Sequence, residues 1–144
     1  MKMRIVVVED HAALRHGIVD TIDREVDLMV CGQADDVSSA LDVVSAARPD
    51  LVLIDLQLRS SSGIDLIGQL RQRHPALLTV AMTMFDQESF EKLARAAGAA
   101  GFVSKQEGPA RLLATIRAAL DVGRASQANR HSSSQNQPPA KAKS

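Results

Sequence analysis

Five times along the chain a short apolar run gives way to an amphipathic stretch. MRIVVV leads to HAALRHGIVDTIDREV, in which Leu14, Ile18 and Ile22 recur at helical spacing, and LMVCGQ leads to DVSSALDVVSAARP, with Val37, Ala40, Leu41 and Val44 on one face. DLVLIDL then precedes GIDLIGQLRQRHP, LLTVAMTM precedes QESFEKLARAAGA with Phe90, Leu93, Ala94 and Ala97 in register, and AGFVSK precedes GPARLLATIRAALDVG with Leu112, Leu113, Ile116 and Leu120. The short runs have strand length and the periodic stretches have helix length, so the pattern predicts (βα)5. Pro49 and Pro75 stand where the second and third helices should stop, and Pro109 stands where a first-turn proline is tolerated.

Strands alternating with helices imply a parallel sheet joined by right-handed crossovers. Doubly wound, this is an α/β flavodoxin-like sheet of order 2-1-3-4-5 covered by helices on both faces, with ligands expected beyond the carboxyl ends of the strands. After Gly123 the composition changes to RASQANRHSSSQNQPPAKAKS, with almost nothing apolar to bury. Residues 1–123 are therefore expected to form one domain, and residues 124–144 a disordered Ser/Gln/Pro-rich tail.

A chain of 144 residues with 45% hydrophobic content suits a single domain with a real core. No run approaches the roughly 20 apolar residues of a bilayer span, and the start MKMRIVVVEDH has no signal-peptide h-region, so a cytoplasmic location is expected. The zero formal charge conceals a division. Arg124, Arg130, Lys141 and Lys143 all follow Gly123, which leaves 13 of the 17 basic side chains against all 17 acids in the first 123 residues, a formal net of −4. An acidic body gives no general electrostatic reason to bind nucleic acid, and the spread charges of the tail read as a solvated linker.

Chemistry gathers at the predicted strand ends. The first strand ends in Glu9 and Asp10, the third in Asp55, the fourth near Thr83 and the fifth at Lys105. In the order 2-1-3-4-5 the first and third strands are neighbours, so three carboxylates converge opposite a hydroxyl and an ammonium. Two carboxylates ~4 Å apart repel by about 4 kcal/mol at an effective dielectric of about 20, so the cluster requires a cation or a shifted proton. An all-oxygen site open to water suits Mg²⁺, which favours one or two carboxylates together with phosphate oxygens. With the acids screened, Asp55 can act as nucleophile toward phosphorus while Lys105 neutralises phosphoryl oxygens and Thr83 donates to one.

These residues, with VVVEDHAALRHGI and GAAGFVSK, resemble the receiver domain of two-component response regulators, most nearly receivers of the LuxR type, over roughly residues 3 to 123. The resemblance implies a phosphorylation-activated switch. Glu9 and Asp10 become the metal acids, Asp55 the phosphorylated residue, Thr83 the switch hydroxyl, Lys105 the phosphate lysine, and Gln57 a metal ligand through its backbone carbonyl. Phe102 matches the aromatic that turns inward as Thr83 moves. A sensor histidine kinase or phosphotransfer protein is the implied phosphoryl donor, Mg²⁺ the cofactor, and phosphorylation-dependent homodimerisation a further implied contact. The last strand and its neighbouring helices become the output surface. Neither a membrane nor DNA is expected as a partner of this chain itself. Related loops often carry Pro-Gly four and five residues past the acceptor; here these are Arg59 and Ser60, while Gly63 is kept. Gln106 stands after Lys105 where related chains often have proline, so no cis peptide is carried over.

Taken singly the signals are ordinary. Paired acids after a strand often cap the next helix, Thr83 is equally a strand threonine, and Phe102 equally a core residue. It is the ordered set on successive strand ends that is specific. His11, His16 and His74 lack a metal-ligand spacing and read as surface or cap residues, Met82 and Met84 read as packing, and Cys31 as a buried, inert thiol. An aspartyl-nucleophile phosphohydrolase is the contrasting class, but haloacid-dehalogenase-like enzymes need a second Asp two positions on, where this chain has Gln57. Flavin binding is disfavoured because Glu9 and Asp10 would repel a phosphate after the first strand. A chain of this type is not an enzyme in the turnover sense, beyond slow hydrolysis of its own aspartyl phosphate. The sequence leaves open a stand-alone receiver or a receiver fragment of a LuxR-type DNA-binding regulator.

Overall fold

The structure, a computed structural model, describes residues 1–84 and 88–136, with the backbone alone described for residues 127–136. Five strands and five helices alternate: β1 Met3–Val8, α1 Ala12–Asp23, β2 Leu28–Ala34, α2 Val37–Ala47, β3 Leu51–Asp55, α3 Gly63–Arg73, β4 Leu78–Thr83, α4 Glu88–Ala97, β5 Gly101–Ser104 and α5 Pro109–Asn136, with a 3₁₀ turn at Lys105–Glu107. All strand pairs are parallel and the order is β2-β1-β3-β4-β5, as the strand and helix alternation predicts. Gln87, where the sequence pattern begins the fourth helix, and residues 137–144 of the expected tail lie outside the described residues.

Strand parity divides the interior into two layers. Ile5, Val7, Leu51, Leu53, Val80 and Met82 face α1 and α5 and pack with Ile18, Ile22, Ile116 and Leu120. Val6, Val8, Val52, Ile54 and Ala81 face the other way and pack with α2, α3 and α4 through Ala40, Val44, Leu66, Ile67, Leu70 and Ala94. β3 is buried along its whole length, which explains its unbroken apolar run. Local chemistry sets the helix starts: His11, Asp36 and Ser62 are N-caps, and Asp36 forms a reciprocal capping box with Ser39 that holds its carboxyl below the ordinary range. Arg48 closes α2 in the left-handed conformation at φ 51°, immediately before Pro49.

Several expectations need correction. The fifth helix does not end at Gly123; its backbone stays helical through Asn136, across the first part of the segment expected to be disordered. Two physical reasons account for this. A Cβ at position 123 would lie 2.6 Å from Leu78 Cδ1, so Gly123 marks a close approach of helix to sheet. Beyond it, Arg124, Ala125, Gln127, Ala128 and Arg130 are residues that a helix accepts readily, and the first later proline is Pro138. A lack of apolar residues argues against burial, but it leaves local hydrogen bonding intact. On α4, Ala94 is buried and Phe90 and Ala97 are partly so, but Leu93 is 54% exposed because only a narrow stripe of that helix meets the sheet. Met82 packs in the core, whereas Met84 beyond the strand end is exposed. Cys31 is half-buried, and burial pushes its thiol pKa up. Leu112 is buried and Leu113 partly buried against the α1/α5 layer. No helix among the described residues is long and apolar enough to cross a membrane.

Two glycines of α3 give opposite expectations. A Cβ on Gly63 would collide with the carbonyl oxygen of Asp55 and lie 2.7 Å from Leu56 Cα, whereas Gly68 has nothing within 4 Å of such an atom. Gly63→Ala is expected to cost about 1–3 kcal/mol of stability through forced backbone movement. Gly68→Ala is expected to add about 0.5–1 kcal/mol by removing a flexible residue from a helix interior. Urea denaturation of both variants checks the pair; equal effects would contradict the packing described at Gly63.

Candidate functional site

The first strand carries the chain to Glu9, whose backbone N–H donates to the Ala34 carbonyl of β2 at 3.0 Å, and β3 carries it to Asp55 beside β1. Glu9, Asp10 and Asp55 each offer a carboxylate oxygen within 4.8 Å of the others. Glu9 is 1% and Asp55 3% exposed, while Asp10 lies partly open at the rim. From the end of β5, 96 residues along the chain from Glu9, the Lys105 ammonium reaches Glu9 Oε1 at 2.5 Å and Asp55 Oδ2 at 3.1 Å. The sequence-predicted acids and lysine thus meet in one place.

A backbone N–H fixes each acid. His11 donates to Glu9 Oε2 at 3.1 Å, Gln57 to Asp55 Oδ1 at 3.0 Å and Arg59 to Asp10 Oδ2 at 2.6 Å. The first two are local turns in which a carboxylate accepts from the amide two residues on. The third crosses from the β3–α3 loop to the end of β1, and the exposed Arg59 guanidinium, 3.7 Å from Asp10, adds little to it in open solvent. Arg15 of α1 closes the back of the site by donating to the Glu9 carbonyl at 2.7 Å and to the Gln33 side chain at 3.1 Å.

Thr83 ends β4 fully buried, and its hydroxyl donates to the Gln57 side-chain oxygen at 3.2 Å. Gln57 itself is half-buried and its backbone bridges to Ser62. Phe102 pairs with Ala81 in the sheet and lies half-buried against the layer of α2, α3 and α4. His11 caps α1 through Nδ1, which accepts from the Leu14 N–H at 3.3 Å, so the reading of a cap residue holds. Sequence reasoning did not find the Arg59 amide, the Arg15 contacts or the Gln57 side chain. Only an N–H or an amide tip carries these contacts, and such groups leave no pattern in residue spacing.

The donor set suits a hard divalent cation. It is all oxygen, it is anionic, one member opens to solvent, and three backbone amides preorient it. Receiver-type acid clusters bind Mg²⁺, and the chemistry of these three residues fits that ion. Burial is the largest influence on Glu9 and raises its pKa above the ordinary 4.5, with the Asp55 charge adding to the rise and Lys105 and the His11 amide opposing it. The folded chain therefore holds this proton more tightly than the unfolded chain does. The contribution of Glu9 to stability is complete below the unfolded value and is lost as pH rises through the folded one. In chelator-treated buffer, Glu9→Gln is expected to gain stability relative to the parent as pH rises from about 4.5 toward neutrality. Urea denaturation across that range provides the measurement, and a pH-independent difference would contradict the shift.

Comparisons with known proteins agree with this geometry. A profile described as "Response regulator receiver domain" matches residues 5–117. The chain is 34% identical over 121 residues to the "DNA-binding transcriptional activator DevR/DosR" of Mycobacterium tuberculosis, covering 84% of this chain and 54% of that protein. The chain thus spans about half the length of the curated relatives it matches. A crystal structure of a LuxR-family two-component response regulator from Aurantimonas sp. SI85-9A1 superposes with a TM-score of 0.81 at 33% identity, over 84% of this chain and 86% of that one. The signal receiver domain of the putative response regulator NarL from Mycobacterium tuberculosis follows with a TM-score of 0.76 at 28% identity, over 85% and 97% of the two chains. With acids from β1 and β3 and the lysine after β5 converging as the resemblance requires, the chain belongs to the response regulator receiver domain family, in its LuxR-type group.

Proposed function

We propose that Asp55 is the phosphoacceptor of this receiver, that Glu9, Asp10, Asp55 and the Gln57 backbone carbonyl hold Mg²⁺, and that Thr83 and Lys105 bind the phosphoryl oxygens. The observation that carries this reading is the Lys105 ammonium seated between Glu9 and Asp55, two acids buried deeply enough to need a cation. Asp55 Oδ1 is held by the Gln57 amide and Oδ2 by Lys105, which leaves the carboxylate oriented without a covalent neighbour. One of its oxygens bonds to phosphorus as the bond from phosphorus to the donor's nitrogen or oxygen breaks, and the leaving group departs on the opposite side. Lys105 then follows the new charge onto the phosphoryl group. Bound Mg²⁺ supplies charge neutralisation for the acids and the transferring group.

The donor fits a histidine kinase or phosphotransfer protein. An apolar groove of about 300 Å³ between α1 and α5, lined by Leu14, Gly17, Ile18, Pro109 and Leu112, ends at Lys105 and could seat a partner helix beside the acceptor. Output through β5 and its flanking helices, with Thr83 and Phe102 rearranging together, and phosphorylation-dependent pairing of two copies extend the same reading. On this view the chain is a switch that at most hydrolyses its own aspartyl phosphate. A second reading concerns only what is attached: since the matched relatives are about twice as long, this chain would be the receiver part of a DNA-binding regulator. The length of the reading frame decides that point.

Intact-mass analysis is the direct test, since the chain has no Trp or Tyr to report by fluorescence. Incubation with acetyl phosphate and Mg²⁺ is expected to add one HPO₃ unit to the parent, and none without Mg²⁺ or in Asp55→Asn. A full adduct on Asp55→Asn would remove Asp55 from its role. Saturating Mg²⁺ is also expected to raise the thermal midpoint, by about 2.7 kcal/mol of stability at 100 times Kd. That gain should vanish in Asp10→Asn; an unchanged gain in this variant would place the ion elsewhere.

A further inference from the structure

Arg15 stands behind the acids and bonds to the carboxylate of none of them. Its half-buried side chain donates from Nη1 to the main-chain carbonyl of Glu9 at 2.7 Å, and from Nε to the Gln33 side-chain oxygen on β2 at 3.1 Å. The carbonyl it grips belongs to the peptide that joins Glu9 to Asp10. The other fixing contacts described above reach the carboxylates themselves: His11 and Lys105 hold Glu9, Gln57 and Lys105 hold Asp55, and Arg59 holds Asp10.

We propose that Arg15 is a positioning residue for the metal site, which fixes the peptide between Glu9 and Asp10 and through it the direction of the Asp10 carboxylate. This rests on Glu9 and Asp10 being metal acids. A peptide unit is planar, and the torsions on either side of this one, ψ of Glu9 and φ of Asp10, decide where the Asp10 side chain leaves the strand end. A guanidinium on the carbonyl oxygen restrains both. Glu9 is also anchored through its N–H on the Ala34 carbonyl, next to a fully paired strand. Asp10 is more open: it lies partly exposed, and its carboxylate is held by Arg59 from the β3–α3 loop. Water competes for an acid so placed, and restraint of the backbone beneath it supplies order that the solvent side does not.

Charge and orientation act in opposite directions here, which makes the role separable. A guanidinium beside an acid cluster repels an arriving Mg²⁺ and weakens the anionic field that draws it in. If charge were all that mattered, removing Arg15 would tighten metal binding. Loss of an outer group that aims a metal ligand has the reverse effect and weakens binding. A contribution to folding alone would leave the affinity of the folded chain where it is.

The test measures the Mg²⁺ affinity of the full chain by titration of its amide NMR shifts. Arg15→Met, which a helix accepts equally well, is expected to raise Kd by about 10-fold. That is the lower end of the range for groups that orient metal ligands, because loss of the like charge works against it. Arg15→Gln is carried alongside and is expected to move the same way, so that a folding defect in one variant does not decide the result. Arg15→Lys keeps the charge and a donor but lacks the planar fork, and its Kd is expected to fall between those of the parent and Arg15→Met. A lowered Kd in Arg15→Met and Arg15→Gln overturns the proposal in favour of charge alone. An unchanged Kd overturns it as well, and urea denaturation without metal then reads out the purely structural role. A parent without saturable shifts defeats the metal reading itself. Saturable shifts in the parent that are lost in Asp10→Asn but unaltered in the Arg15 variants defeat only the role of Arg15.

Discussion

Two acids buried at the ends of neighbouring strands, with one ammonium between them, are the constraint around which this molecule is arranged. Ionised carboxylates at 1% and 3% exposure would each forfeit several kcal/mol of hydration if left alone. Lys105 offsets part of that loss, and backbone amides from His11 and Gln57 offset more. The compensation is incomplete by design of the donor set: three carboxylates face one ammonium, and the raised pKa of Glu9 registers the remaining strain toward neutrality. A site so arranged attracts further positive charge, which suits its all-oxygen donor set to a divalent ion.

The sheet makes such a cluster possible at low cost. Because β1, β3, β4 and β5 run parallel and adjacent, their carboxyl ends open on one edge, and residues 96 positions apart arrive within hydrogen-bond reach. Apolar side chains of both parities bury the strands on each face, so their ends are held by the core and not by the loops that follow them. Gly63 continues this logic into the first loop, where α3 begins close against the Asp55 carbonyl.

Much of this was legible in the sequence, and the reasons are specific. The alternation of short apolar runs with helical periodicity fixes the order of elements, and the acids, threonine and lysine mark the strand ends because a polar group that closes an apolar strand needs partners gathered at that edge. Glu9, Asp10, Asp55 and Lys105 could therefore be placed together before any coordinates. The misreadings share another cause. Leu93 was assigned to a buried face because its spacing is right, but periodicity does not report how wide a stripe the sheet covers. The boundary at Gly123 follows from a composition with little to bury, and such a composition says nothing against a backbone helix held by its own hydrogen bonds. The links from Gln57 to Thr83 and from Arg59 to Asp10 span 26 and 49 residues and depend on a single amide tip or N–H. Hydrophobic pattern carries no trace of them.

The Arg59 contact has a consequence for how this loop can diverge. Its useful part is a main-chain donor, and every amino acid but one supplies that group, so charge and size at position 59 are open to drift. Proline, which related loops often place there, is the single replacement that would leave Asp10 without its tether, and a chain that acquired it would have to orient that acid by some other means.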